Sequence, residues 1–347
     1  MKKGKILVTG GAGFIGSHTV VELITRGYEV IVADDFSNAH HEVIDAIESI
    51  TGTRPDVVEI NLCSLQLTNE LFSKYRPDAV VHFAAKKLVG ESVENPLLYY
   101  RNNLEALLNV VEAAIAHNCT DFVFSSSCTV YGQPDVLPVS ENAPLKKAES
   151  PYGNTKKIAE DILVDVCRVS NLRTIALRYF NPVGAHESAL IGEYPFQAPS
   201  NLMPVITQSA IGIRKSFQVF GNDYNTPDGS CIRDYIHVTD VAIAHVAAIE
   251  RLANKTGADS NEVFNLGTGK GVSVFEIIKS FERVNNLHLN YTVAPRRRGD
   301  VEKVWADTTL ANQNLGWKAE RDLDQMVASA WAWEKKLFDK KSLQVKQ

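Results

Sequence analysis

Tyr152 and Lys156 stand four residues apart in the run Ser150-Pro151-Tyr152-Gly153-Asn154-Thr155-Lys156. Ser150 suits an N-cap and Pro151 the first helical position, so a helix is predicted to begin here. Residues i and i+4 share one face of a helix, which brings the ammonium beside the phenol. A free phenol titrates near ~10. A fixed positive charge next to it favours the ionised form and lowers that value, making a general base for use near neutral pH. A solvated helix face can carry the same spacing, so the pair takes its meaning from its neighbours.

The elements that would position it begin at the N-terminus. The apolar run Lys5-Ile6-Leu7-Val8-Thr9 reads as a buried parallel strand and opens into Gly10-Gly11-Ala12-Gly13-Phe14-Ile15-Gly16. Gly10, Gly13 and Gly16 satisfy one dinucleotide spacing, and Gly11, Gly13 and Gly16 another. Missing Cβ atoms allow a tight turn and close approach of a pyrophosphate, to which the helix N-terminus offers free N–H groups. A second strand ends at Asp34, 18 residues beyond Gly16, where a carboxylate can accept hydrogen bonds from an adenosine ribose. That carboxylate repels a 2′-phosphate and no Arg follows it closely, so NAD is favoured over NADP.

Strand-like runs at 5 to 9, 29 to 34, 56 to 60, 79 to 83, 121 to 125 and 173 to 178 alternate with amphipathic stretches near 14 to 26, 67 to 75, 97 to 117 and 152 to 169. This alternation predicts an α/β fold, a doubly wound parallel sheet of Rossmann type with a second, smaller substrate-binding α/β lobe. Residues 1–180 are expected to form the cofactor domain and 181–347 the lobe, with a segment near 234–267 returning to the sheet through a helix at 240 to 252 and a strand at 263 to 266. Helices near 273 to 284 and 322 to 338 close the chain.

The chain has 347 residues, of which 45% are apolar, enough for a substantial core. A net charge of −5 without a basic tract argues against nucleic acid or an anionic membrane as partner. No apolar run is long enough to span a bilayer, and no signal-peptide core is seen. The five cysteines, Cys63, Cys119, Cys128, Cys167 and Cys231, form no C-x-x-C pair and suit reduced thiols in the cytoplasm. No Cys/His spacing suggests a metal; His18, His82 and His237 read as structural.

Before Tyr152, the run Phe122-Val123-Phe124 leads into Ser125-Ser126-Ser127-Cys128-Thr129-Val130-Tyr131-Gly132 and offers hydroxyls at a strand end. A hydroxyl near the phenol completes a Ser/Tyr/Lys set able to handle a substrate alcohol proton while a nicotinamide takes hydride.

With TGGAGFIGSH, HFAAKKLVGES, SSSCTVYG, SPYGNTKK, LRYFNPVGAH, NLMP, RDYIHV and APRRRGD in this order, the chain resembles the extended short-chain dehydrogenase/reductases and, within them, the UDP-glucose 4-epimerases. The resemblance implies Tyr152 as base, Lys156 holding the nicotinamide ribose and lowering the Tyr152 pKa, and Ser127 as catalytic hydroxyl. It places Gly10, Gly13, Phe14, Ile15, Gly16, Asp34, Asn61, Leu62, Lys87, Asn102 and Phe180 at the cofactor. It places Asn181, Asn201, Leu202, Phe220, Arg233, Arg297, Asp300 and Val304 around the UDP-sugar. The implied reaction oxidises the sugar at C4, turns the 4-keto sugar over while UDP stays anchored, and returns hydride to the other face, so tightly retained NAD is expected. The helices at 97 to 117 and 152 to 169 resemble those that pair in a homodimer of this family.

Three positions depart from the pattern. Asn61 replaces an acidic residue expected to accept the adenine amino group. Lys86 replaces an apolar residue. Val304 occupies a site that varies in bulk, and its small side chain implies room for an N-acetyl group at C2, so UDP-N-acetylhexosamines are expected as further substrates. The nearest rival is a sugar-nucleotide 4,6-dehydratase, whose extra acid and base would fall on Cys128 and Thr129, neither an acid at neutral pH. A non-catalytic nucleotide sensor is the other alternative.

Overall fold

Valine, isoleucine and alanine fill the short apolar runs, and the central runs become strands covered on both faces, while the run at 56–59 at the sheet edge stays largely exposed. The structure is a computed structural model that describes residues 3–344 apart from 200, 256, 258, 259, 298 and 299. Strands and helices alternate as β1 (Lys5–Thr9), α1 (Phe14–Thr25), β2 (Glu29–Asp34), α2 (Glu42–Thr51), β3 (Asp56–Glu59), α3 (Leu65–Tyr75), β4 (Ala79–His82), α4 (Val89–Glu94), α5 (Pro96–Ala116), β5 (Asp121–Ser127), α6 (Pro151–Val169) and β6 (Arg173–Tyr179). There follow β7 (Asn181–Val183), α7 (Leu202–Ala210), β8 (Phe217–Phe220), β9 (Ile232–Arg233), β10 (Tyr235–His237), α8 (Val238–Ala253), β11 (Asn261–Leu266), β12 (Val272–Ser273), α9 (Val274–Asn285), β13 (Tyr291–Ala294), β14 (Lys303–Val304) and α10 (Leu323–Gln344).

Seven strands form one parallel sheet in the order β11-β6-β5-β4-β1-β2-β3. The winding reverses between β1 and β4, which creates the crevice in which doubly wound sheets bind ligands. Side chains alternate across the sheet: Ile6 and Val8 pack with Val20, Leu23, Val241 and Ala244 of α1 and α8. Leu7 and Val80 pack on the other face with Phe72, Leu107, Val110 and Leu163 of α3, α5 and α6. The segment β10, α8, β11 thus returns from beyond residue 181 to the edge of the sheet.

The other strands are short. β7 pairs with β10, β9 lies between β12 and β14, and β8 pairs with β13. A separate cluster joins Ile206 of α7, Val219 of β8, Ile277 and Phe281 of α9 and Met326 and Val327 of α10. α9 starts in a capping box in which Ser273 accepts from the Glu276 N–H and the Glu276 carboxylate accepts from the Ser273 N–H, an arrangement that contributes about 1 kcal/mol.

β5 runs through Ser127, two residues past the expected end, because Ser126 and Ser127 pair in register with Arg178 and Tyr179 of β6. β3 and β4 each stop one residue earlier than expected. No helix among the described residues is long and apolar enough to cross a membrane.

Burial holds several histidines neutral, pushing His18, His82 and His237 down to about 3 and His245 to about 4. In the unfolded chain these rings protonate near ~6.5. Below that pH the unfolded state binds more protons than the native one, so native stability falls with falling pH and is unaffected by these groups above it. The melting temperature is expected to hold between about pH 7 and 8 and to drop steadily below ~6.5; a melting temperature unchanged to about pH 5 would contradict the neutral assignment.

Candidate active site

At the switch point, Gly10 takes φ 69°, and a Cβ there would lie 2.7 Å from the Ala84 backbone nitrogen after β4. Gly13 caps α1 and donates its N–H to the Gly10 carbonyl at 3.1 Å. A Cβ on Gly16 would fall 2.2 Å from the Gly10 carbonyl oxygen. The turn therefore closes only without side chains, and the start of α1 faces the crevice. Ile15 packs against the sheet core.

Asp34 at the end of β2 is buried and accepts from the Ala12 and Phe36 N–H groups, each at 3.0 Å. Burial pushes its carboxyl up, and the two N–H groups oppose this. An acidic rim beside a glycine cradle fits an adenine dinucleotide with free ribose hydroxyls, the group expected from the sequence. Asn61 spends its amide oxygen on the Cys63 N–H at 3.0 Å, leaving the Nδ2 hydrogens as its donors. Leu62 is buried in the core. Asn102 donates from Nδ2 to Asn103 Oδ1 at 3.1 Å.

Lys87 extends over the Phe14 ring, 5.9 Å from its centroid, and pairs with Glu193 at 3.2 Å. Glu193 also accepts from Asn201 Nδ2 at 2.8 Å. One carboxylate thus joins a residue expected at the cofactor to one expected at the substrate. Glu193 sits in a loop without periodicity, so nothing in the local sequence marks it.

The catalytic candidates converge from β5 and α6. Ser150 caps α6 by accepting from the Gly153 N–H at 3.2 Å, and Pro151 occupies the first turn. Lys156 is 4% exposed, donates to the Ser125 carbonyl oxygen at 2.7 Å and lies 4.9 Å from the centre of the Phe124 ring. Ser127 is the neighbouring hydroxyl that favours the ionised form of Tyr152. The spacing predicts a phenol acidified by Lys156, but the protein alone does the reverse. Burial pushes Tyr152 above its ordinary value, Tyr179 and Cys128 add to this, and only Ser127 among the leading influences opposes it. Helical spacing sets the separation of two groups along a face and carries no information about the water lost when both are buried. Burial likewise pushes Lys156 down to about 8.

The substrate candidates gather at β8, β9 and β14. Arg297 donates to Asp300 at 2.8 Å and lies 5.5 Å from the centre of the Phe220 ring. Arg233 approaches the same carboxylate at 4.0 Å. Of the motif that carries them, Arg298 and Gly299 lie outside the described residues. Val304 pairs in register with Arg233 and is buried in a cluster with Phe180 and Val130, with Cys128 packed against it. Asn181 begins β7 with its N–H on the Asp234 carbonyl oxygen at 3.0 Å. Leu202 instead packs against the core of the lobe. Asp234, also overlooked in the sequence, accepts from the N–H groups of Thr268, Gly269 and Ala306 and so ties the β9 shelf to the loop after β11. Among the described residues no group of three or more His, Cys, Asp or Glu side chains could hold a metal ion.

A glycine turn at the switch point of a parallel sheet, joined to a buried Tyr/Lys helix, defines a nucleotide-dependent enzyme of the short-chain dehydrogenase/reductase type. A family model described as GDP-mannose 4,6 dehydratase matches residues 7–330. UDP-glucose 4-epimerase from Bacillus subtilis (strain 168) is 47% identical over 330 residues, covering 95% of this chain and 96% of its own. The crystal structure of UDP-glucose-4-epimerase from Stenotrophomonas maltophila with bound NAD and formylated UDP-arabinopyranose superposes with a TM-score of 0.94 at 44% identity, covering 97% of this chain and 100% of that one. That of UDP-glucose 4-epimerase from Bifidobacterium longum in complex with NAD+ and UDP gives 0.91 at 43%, covering 96% and 98%. The chain belongs to the UDP-glucose 4-epimerase family of the extended short-chain dehydrogenase/reductases.

Proposed function

We propose that this protein interconverts UDP-galactose and UDP-glucose through a 4-keto sugar, with NAD retained throughout the cycle. The observation that carries this reading is one cluster in which Cys128 packs with Val130, Phe180 and Val304: the turn that Cys128 begins lies against α6, which carries Tyr152, and Val304 stands in register with Arg233. A sugar hung from a nucleotide held at Arg233 would extend across this cluster towards the Tyr152 helix.

NAD, when bound, accepts a hydride from C4 and gives it back, and its nicotinamide brings a positive charge that counters the burial of Tyr152. Tyr152 takes the C4 hydroxyl proton through or beside Ser127 and returns it after the sugar has turned. Lys156 donates to ribose hydroxyls and adds positive charge. Arg233 and Arg297 hold the diphosphate, Asn181 and Asn201 hold the nucleotide, and Phe220 offers an apolar face. Gly10, Gly13, Phe14, Ile15 and Gly16 cradle the cofactor pyrophosphate, Asp34 its ribose, and Asn61, Leu62, Lys87, Asn102 and Phe180 line the rest. Hydride and proton each leave and return, so no net redox occurs.

Purified protein given UDP-galactose without added NAD is expected to form UDP-glucose, measured by chromatography. Release of a 6-deoxy-4-keto product would support the dehydratase, and binding without turnover, even with NAD supplied, the sensor. The first is disfavoured because burial pushes Cys128 up to about 12, leaving it unable to serve as an acid-base pair with Thr129 at neutral pH.

The small Val304 side chain beside Arg233 supports a wider substrate range. UDP-N-acetylglucosamine and UDP-N-acetylgalactosamine are expected to be interconverted too, and Val304→Tyr to reduce that activity at least about tenfold relative to UDP-galactose. Exclusion of UDP-N-acetylglucosamine by the unaltered protein would sink the idea.

A homodimer is part of the proposal. Leu97, Leu98, Leu108 and Ile115 of α5 are exposed, and α5 packs beside α6, an unpartnered apolar face suited to a second copy. The five free thiols suit a cytoplasmic setting.

A further inference from the structure

Three consecutive serines at the end of β5 are each engaged by α6. Lys156 Nζ donates to the Ser125 carbonyl oxygen at 2.7 Å, Ser126 Oγ donates to Glu160, and Ser127 favours the ionised form of Tyr152. Tyr152, Lys156 and Glu160 follow one another at four-residue steps and so lie on one helical face. Glu160 is buried and takes Arg178 Nε at 3.0 Å and Nη2 at 2.5 Å. Arg178 stands opposite Ser126 in the sheet register and also donates to the Tyr131 hydroxyl at 2.9 Å and the Glu141 carbonyl oxygen at 3.2 Å. The Tyr131 hydroxyl in turn donates to Asn265 at 2.7 Å.

We propose that Glu160 is a positioning residue for the reaction, fixing the serine strand against α6 through Ser126 and Arg178 and placing an anion one helical turn from the Lys156 ammonium. The inference rests on the epimerase reading and deepens it. A fully buried lysine is driven towards its neutral form unless an anion stands near. Around Lys156, β4 contributes His82, held neutral, and β5 contributes the Phe124 ring and the Ser125 carbonyl. α6 contributes Tyr152 and Glu160, α5 contributes Tyr99 beside Tyr152, and β6 contributes Tyr179 and Arg178. Glu160 is the one charge pushing Lys156 back up against its burial. Arg178 pairs with that carboxylate through Nε and Nη2, the kind of partner a buried charged group requires.

Glu160→Gln tests this, and because it leaves Arg178 buried without its partner, Glu160→Gln/Arg178→Met serves as a second variant that removes both charges. In each NAD-loaded protein the pH profile of kcat is measured along with the titration of Lys156 by NMR of [ε-13C]lysine. The alkaline limb and the Lys156 titration are expected to move down together by about one pH unit or more, the effect of removing one opposite charge nearby. At about pH 8, near the Lys156 value itself, a one-unit drop takes the charged fraction from about one half to about one eleventh, so turnover should fall roughly fivefold. A purely structural Glu160 would lower the melting temperature and leave both titrations in place, which overturns the proposal. If the unaltered protein shows no epimerase activity the functional reading fails, and the NMR titration still decides the role of Glu160.

Discussion

Replacing Tyr152 by Phe is expected to lower epimerase turnover by roughly 10²–10⁴-fold, the range a positioned general base contributes. The change removes one hydroxyl and keeps the ring, so packing against Tyr179 and Cys128 is retained and the melting temperature should shift little. Bound NAD should also stay, because the glycine turn and Asp34 are untouched. Losing the phenol leaves Ser127 as the nearest hydroxyl, and serine alone is a poor base near neutral pH. Measured on NAD-loaded protein with UDP-galactose, the loss should fall on kcat with KM nearly unchanged, since Arg233 and Arg297, proposed to hold the diphosphate, remain. Turnover within about tenfold of the unaltered protein would remove Tyr152 from the chemistry.

The second large effect is expected at Gly16. An alanine Cβ there would meet the Gly10 carbonyl oxygen at 2.2 Å, the Gly11 Cα at 2.9 Å and the Gly10 carbonyl carbon at 3.0 Å, all of them backbone atoms. No flexible side chain can yield, so the turn must open or α1 must move away from it. Either shift spoils the N–H groups that face a pyrophosphate. Gly16→Ala is expected to be purified with little NAD and to bind it at least about 100-fold more weakly, or about 2.8 kcal/mol. High added NAD should restore part of the turnover. Stoichiometric NAD surviving gel filtration of the variant would contradict the assignment of this turn to the cofactor.

The sheet was legible because its information is local. β1 and β2 carry unbroken apolar runs, the glycines mark the turn between β1 and α1, and Ser150-Pro151 marks the start of α6. Asp34 follows from spacing once those elements are set. The smaller strands are different: β9, β12 and β14 have two residues each, and β8 finds its partner β13 only after α8 and α9 have intervened. Such strands exist because the lobe folds around them and have little local pattern of their own.

Three helices fall outside the expected pattern: α4, of six residues, is too short to show a period, and α2 and α7 escape for separate reasons. α2 does have a signal, Ile44 and Ile47 on one face and a left-handed Gly52 at φ 69° as its stop, but it lies in a stretch otherwise rich in polar residues. α7 starts at Leu202 and contains Pro204 in its first turn, where a missing N–H is tolerated. In isolation that proline reads as a loop. Ser126 and Ser127 lie past the expected strand end at 125, yet pairing with β6 makes both strand. At the site, residue identities were readable while electrostatics were not: the neutral phenol and the Glu160–Arg178 pair depend on burial, which four-residue spacing cannot report.

The central claim is that hydrogen leaves C4 as hydride and returns to the same carbon within one enclosed site. UDP-galactose carrying deuterium at C4, incubated in ordinary water with the protein and no added NAD, tests it directly by mass spectrometry and NMR of the product. UDP-glucose retaining the deuterium at C4 is the expected result. UDP-glucose that has exchanged it for solvent hydrogen would contradict internal hydride return and require a proton-abstraction mechanism instead.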